Sequence, residues 1–295
     1  MRFRPNKLAA YAIFAGALLA SMGHTAPRHI HLEQLGNPSK DETANDRFAT
    51  FTRQLALCFS PHSPSPPHTL GWLGTSATAF VSFEKPNWEA IEKLRRETTG
   101  PLLSQTSPLW TQLGIAVRKG LPYSFEVGLH AKWLSQSAMW TLAGDLRWAF
   151  EGIDYLPNFS IRVHLQQLFG ASPLQLATGG MDLSLGYAFA LPKGFILSAF
   201  GGWDLVFVYA ASQRINFDDG EAKFTSLKPF SNSHNRLYAA LRLSYWNAFA
   251  QLSFSYSVLK TPAAAAPADN PPPSNNDEGI SSSLLSANFG AGYLF

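Results

Sequence analysis

The 295-residue chain has very little cysteine: Cys58 is its only one, so it forms no internal disulfide. It also lacks a C-x-x-C pair, a His/Cys cluster at metal-ligand spacing, a phosphate-binding glycine loop and a dinucleotide fingerprint. No metal or cofactor is therefore expected. Charge is sparse, at 15% of residues, although aromatics reach 13%. Past the first 26 residues, no stretch approaches the ~18 uninterrupted apolar residues of a membrane helix. The apolar content is instead dispersed, as in strands with one greasy face.

Residues 1–26 read as a secretory signal. Arg2, Arg4 and Lys7 precede the apolar run "LAAYAIFAGALLASMG", which ends in the small residues Ala20, Ser21 and Gly23. The cut falls between 20 and 26, and an uncleaved anchor is the alternative. The signal carries three of the 23 Lys and Arg and none of the 20 acids. The mature charge is then balanced, so the basic pI gives no sign of a nucleic-acid partner, and none is expected.

Residues 27–67 form a separate extension. Within it, "RFATFTRQLALCFS" places Phe48, Phe51, Leu55 and Cys58 on one helical face, which predicts a short helix with Cys58 buried. This extension is expected on or in the periplasmic mouth of the domain that begins at residue 68.

From residue 68 the period is two. "AFAQLSFSYSVL" sets Ala250, Leu252, Phe254, Tyr256 and Val258 against Gln251, Ser253, Ser255 and Ser257. "YSFEVGLHAKW" sets Tyr123, Phe125, Val127, Leu129, Ala131 and Trp133 against Glu126, Gly128, His130 and Lys132. Strands with one apolar and one polar face are predicted. About ten fit, at 70–83, 107–118, 122–134, 138–150, 158–167, 179–191, 194–210, 235–246, 248–259 and 284–295; splitting or merging a hairpin gives eight or twelve. Several match the length of tilted strands crossing a bilayer. The three long connections, 84–106, 211–234 and 260–283, fall on one side, as in membrane barrels with short periplasmic turns and longer outer loops. A helix is expected in "NWEAIEKLRRE", a solvated turn at Asp218–Glu221, and disorder across 260–283.

Alternation fits a soluble sandwich as well as a membrane barrel. Three features favour the barrel: Trp133, Trp140, Trp148, Tyr209, Tyr245 and Tyr293 near strand ends, a polar face rich in small residues, and the signal. Strands cross lipid only if the sheet closes.

The last strand ends "SANFGAGYLF". Tyr293 and Phe295 there resemble the C-terminal signal of bacterial outer-membrane β-barrel proteins, over about residues 68–295 and with no characterised subfamily matched. The resemblance implies an all-β, transmembrane, antiparallel up-and-down barrel in the outer membrane. It also implies lipid as surroundings and recognition of the final strand by the barrel-assembly machinery.

The polar face then lines the lumen, with Glu126, His130, Lys132, Asp145, Arg147, Arg162, His164, Asp182, Asp204 and Arg242, and with Arg118 beside them. Hairpin geometry predicts Glu126 opposite Arg147, Asp145 opposite Arg162 or His164, and Asp204 opposite Arg242. These charges are either an ion-pair ladder that fills the barrel or a selectivity surface. About ten strands lie near the filled end of the size range. The expected function is a narrow pore or small-solute channel without enzymatic activity. The alternatives are a plugged structural or surface-interaction barrel acting through its outer loops, and a barrel hydrolase. The rim acid pairs of omptin-type barrel proteases find no match, so no catalytic residue is assigned.

Overall fold

A computed structural model describes residues 30–41, 43–60, 64–86, 98, 109–135, 137–151, 156–217, 224–259 and 282–295. The signal, the helix expected after Pro86, the Asp218–Glu221 turn and most of the 260–283 connection lie outside them.

Ten strands close into one antiparallel meander barrel. They are β1 (Thr75–Lys85), β2 (Trp110–Gly120), β3 (Phe125–Leu134), β4 (Trp140–Phe150), β5 (Asn158–Phe169), β6 (Leu174–Ala190), β7 (Phe195–Ser212), β10 (Phe230–Tyr245), β11 (Ala248–Leu259) and β12 (Ser282–Leu294). Between β7 and β10 a small hairpin pairs β8 (Ile215–Asn216) with β9 (Phe224–Thr225). Closure joins β1 to β12, from Ser76 opposite Leu294 to Lys85 opposite Leu285. Phe295 and Thr75 exchange two backbone hydrogen bonds at the seam, 2.8 and 3.3 Å long. The ten barrel strands therefore leave no open edge among themselves, as a sheet crossing a membrane requires.

The faces are inverted relative to a soluble protein. Glu126, Asp145, Arg147 and Arg162 are buried, whereas Leu165 is 74% exposed and Leu237 59%. Apolar side chains at the outer positions of every strand form a continuous belt. Such a surface is stable against lipid, so the polar face is the lumen. Aromatic side chains ring both ends. Trp140 stacks on Phe169 at 4.5 Å at one mouth, and Phe195 stacks on Tyr245 at 4.5 Å at the other. Trp133, Trp148, Tyr209 and Tyr293 lie at strand ends as expected.

Strand bounds shift in two places that matter. The first strand starts at Thr75, not near residue 70. Gly71 has φ +73°, a left-handed conformation suited to glycine, and it breaks the extended run. β10 starts at Phe230, five residues before the expected 235, and so adds His234 to the inner face.

The N-terminal extension does not sit at the mouth where it was expected. Its helix α1 (Ala44–Phe59) plugs the opposite mouth, the one carrying the three longest connections. Phe48, Leu55, Cys58 and Phe59 are fully buried there. They pack with Trp110, Leu134, Leu168, Leu176, Val208 and Leu284, from the ends of six strands. At this mouth the inner wall presents a cluster of buried apolar side chains, against which an amphipathic helix can bury its greasy face. Gly74, which accepts from the Gly120 amide, stands at the other mouth, and the next residue, Thr75, bonds the C-terminal Phe295.

Candidate functional site: a threaded, charge-lined lumen

The lumen is occupied by the chain's own residues 64–70, which we call the strap. Its contacts follow from its composition. Pro64, Pro66 and Pro67 have no N–H, so this backbone presents carbonyl acceptors and few donors. The wall answers with donors. Gln251 Nε2 donates to the Pro64 carbonyl at 2.8 Å. Arg147 donates to the carbonyls of Pro66 at 2.6 Å and His68 at 3.1 Å. Lower down, where the strap regains N–H groups, the Leu70 amide donates to Glu126 Oε1 at 2.7 Å. These strap carbonyls and this amide are thus met by the wall.

The end of α1 is held in the same way. The last carbonyls of a helix have no partners within it, and they carry its negative pole. Gln112 Nε2 donates to the Cys58 carbonyl at 2.7 Å, and Gln166 Nε2 to that of Phe59. The Lys132 ammonium donates to the Ser60 carbonyl at 2.8 Å. A buried cation at a helix C-terminus is favourable on both counts.

Below α1 the wall charges form two groups. In the first, Glu126 accepts from Arg147 and lies 3.5 Å from Arg118. Arg118 also reaches Asp145 at 3.1 Å, and Asp145 hydrogen-bonds His130. Arg118 and Asp145 are on β2 and β4 and meet across β3 because Gly128 stands between them. A Cβ there would lie 2.5 Å from an Asp145 oxygen. In the second group, Arg162 pairs with Asp182 at 3.0 Å, and Tyr238 donates to the other Asp182 oxygen at 3.0 Å. Asp204 binds His164 at 2.9 Å and pairs with Arg236. His164 crosses β6 over Gly180, where a Cβ would meet its ring.

Sequence reasoning placed these charges on the inner face, and all ten are buried there. Glu126 is opposite Arg147 as expected. Asp145 is opposite His164, but it bonds His130 and Arg118 instead. Asp204 is opposite Arg236, not Arg242. The loop between β7 and β10 is centred three residues earlier than assumed, and that moves the partner by six. Arg242 instead donates to Gln251 Oε1 at 2.8 Å and lies over the Phe249 ring. Glu84, His234 and Arg236 went unread because the assumed strands stopped short of Glu84 and His234, and because the assumed partner hid Arg236. The prolines of the strap were the available signal for the rest.

Among the described residues no group of three His, Cys, Asp or Glu is placed to hold a metal ion. A void of about 20 Å³, room for about one water, remains beside Pro64 and Ser65.

No protein-family model matches the chain, and no curated protein matches it significantly. Among solved structures it is similar to the attachment invasion locus protein Ail of Yersinia pestis, in complex with a heparin analogue. That match has 12% identity and TM-score 0.29, over 76% of this chain and 99% of that one. It is also similar to Neisserial surface protein A (11%, TM-score 0.32, 75% and 95%) and to the outer membrane protein OprG from Pseudomonas aeruginosa (11%, 0.31, 77% and 97%). Likeness at this level carries no inference about ligand or activity, and the barrel stands on its own strand registers.

Proposed function

We propose that this protein is an outer-membrane barrel that rests closed, sealed by its own N-terminal strap, and acts at the mouth plugged by α1. The observation that carries this reading is the course of residues 64–70 through the lumen, hydrogen-bonded to Gln251, Arg147 and Glu126. The belt of exposed apolar side chains supports membrane residence. The long connections support an outward orientation of the α1 mouth. Its assembly would run through the final strand and Phe295, which lies at the barrel seam.

This reading favours a plugged, non-enzymatic barrel over a standing pore. The two His–Asp pairs support no catalytic role, because each shares its carboxylate with an arginine and is buried in the filled lumen. A second reading is a gated small-solute path. It draws on the strap's attachment, which is by hydrogen bonds to carbonyls that water can replace.

Single-channel recording in a planar bilayer tests both readings. A closed barrel gives no steps once insertion is verified. Rare, voltage-induced openings support the gated path. Steady ion-selective conductance at low voltage overturns the closed barrel.

A further inference from the structure

We infer that the lumen holds a small monovalent anion, of halide size, between Arg242, Ser253 and Asn288. The inference begins with charge. Among the described residues, six buried Lys and Arg side chains of the wall share the lumen with five buried Asp and Glu. Glu126 and Asp145 serve Arg147 and Arg118, Asp182 serves Arg162, Asp204 serves Arg236, and Glu84 acts on Lys132. Arg242 is left over. It is buried, and its partners are neutral: the Gln251 carbonyl oxygen at 2.8 Å and the Phe249 ring at 4.1 Å. The charges acting on it are Arg147, Arg118 and Glu126, two of the three repulsive. An uncompensated charge in such a place is costly, and a bound counter-ion removes most of that cost.

Geometry supplies the place. The 20 Å³ void is lined by Arg242, Arg118, Ser253 and Asn288, and closed on one side by Pro64 and Ser65 of the strap. Ser253 is 1% exposed and Asn288 6%, and they are directly opposite each other on β11 and β12. Ser253 Oγ and Asn288 Nδ2 have no hydrogen-bond partner. Asn288 Oδ1 is already used by Ser82, which leaves the amide N–H groups to donate. A hydroxyl, an amide and a guanidinium thus converge on a space for one small sphere. A water would satisfy the two neutral donors but leave the charge of Arg242 unanswered. Polyatomic anions are larger than the void.

The test uses the full-length barrel folded in detergent, with bromide as the probe. Crystals grown in bromide should show an anomalous peak within hydrogen-bonding reach of Arg242, Ser253 and Asn288. The unfolding midpoint should rise saturably, by a few degrees, in bromide compared with gluconate at equal ionic strength. Arg242→Gln should abolish that dependence. Ser253→Ala, which leaves every charge in place, should raise the half-effect concentration by about tenfold. Ordered water without an anomalous peak overturns the inference. So does an equal midpoint in the two salts, or a bromide dependence that survives Arg242→Gln. If Arg242→Gln does not fold, the wild-type anomalous map and Ser253→Ala decide alone.

Discussion

The guanidinium of Arg147, on the barrel wall, donates to the carbonyl oxygen of Pro66, 81 residues earlier in the chain, at 2.6 Å. A second nitrogen of the same group bonds both the His68 carbonyl and Glu126. One side chain therefore ties the strap to the wall and neutralises a fully buried acid.

Arg147→Met should cost on the order of 3–5 kcal/mol, because Glu126 then keeps only the more distant Arg118 as a charged partner, beside the Leu70 amide, and two strap carbonyls lose their donor. Arg147→Lys keeps the charge but not the fork, and should cost less. Urea unfolding of the refolded protein in lipid vesicles measures both. A loss below about 1 kcal/mol for Arg147→Met would show that the strap is not held there.

Cys58 reports on the plug without any engineering. It is fully buried on α1, and burial together with the nearby charge of Glu84 pushes its thiol well above the usual range, against the opposing effect of Lys132. The thiolate is the reactive form, so a maleimide should label the folded barrel very slowly at pH 7–8 and the unfolded chain rapidly. A gel-shift time course with a large maleimide measures the ratio. Fast labelling of the folded form would mean that α1 leaves the mouth readily.

The start of α1 carries a pH-sensitive latch. Asp41 accepts from the Thr43 hydroxyl at 2.6 Å and its amide at 3.0 Å, and from Arg47 at 2.7 Å; Arg47 also reaches the Leu35 carbonyl. The Thr43 bonds, and after them Arg47, hold the Asp41 carboxyl below its ordinary value of 3.8. A depressed carboxylate stabilises above its unfolded pKa, and the contribution is lost as pH falls through the folded one. Protection of the α1 amides against hydrogen exchange, corrected for intrinsic rates, should therefore hold from pH 8 to about 5 and fall only below about 4. Asp41→Asn should remove that acid-side drop.

Phe295 separates stability from assembly. Its ring is 64% exposed and touches Tyr293, with ring centroids 5.0 Å apart. Its backbone, not its side chain, closes the seam with Thr75. Phe295→Ala should change urea stability by less than about 1 kcal/mol. If the final aromatic is the assembly signal, the same substitution should strongly reduce the folded barrel recovered from cell envelopes. Equal recovery would remove that role.

The strands were legible because a barrel wall imposes a period of two on its inner and outer faces. "AFAQLSFSYSVL" could take one register only, and it folds as β11 with Gln251, Ser253, Ser255 and Ser257 toward the lumen. The tight turn at Trp246-Asn247 fixed its pairing with β10. The sequence by itself therefore determined an alternating-strand barrel of about ten strands, the inner face of the ten charges assigned to it, and the aromatics at the strand ends.

The partner of each charge, and the course of the N-terminal segment, were decided only in three dimensions. Asp204 meets Arg236 rather than Arg242 because a long loop leaves register free, and a shift of a few residues exchanges partners. Asp145 turns to Arg118 because Gly128 opens a path across a strand. The strap binds through backbone carbonyls, which every residue has and no pattern displays. Its prolines mark the missing N–H groups, but that absence acquires meaning only beside Arg147 and Gln251, brought from the far side of a closed sheet.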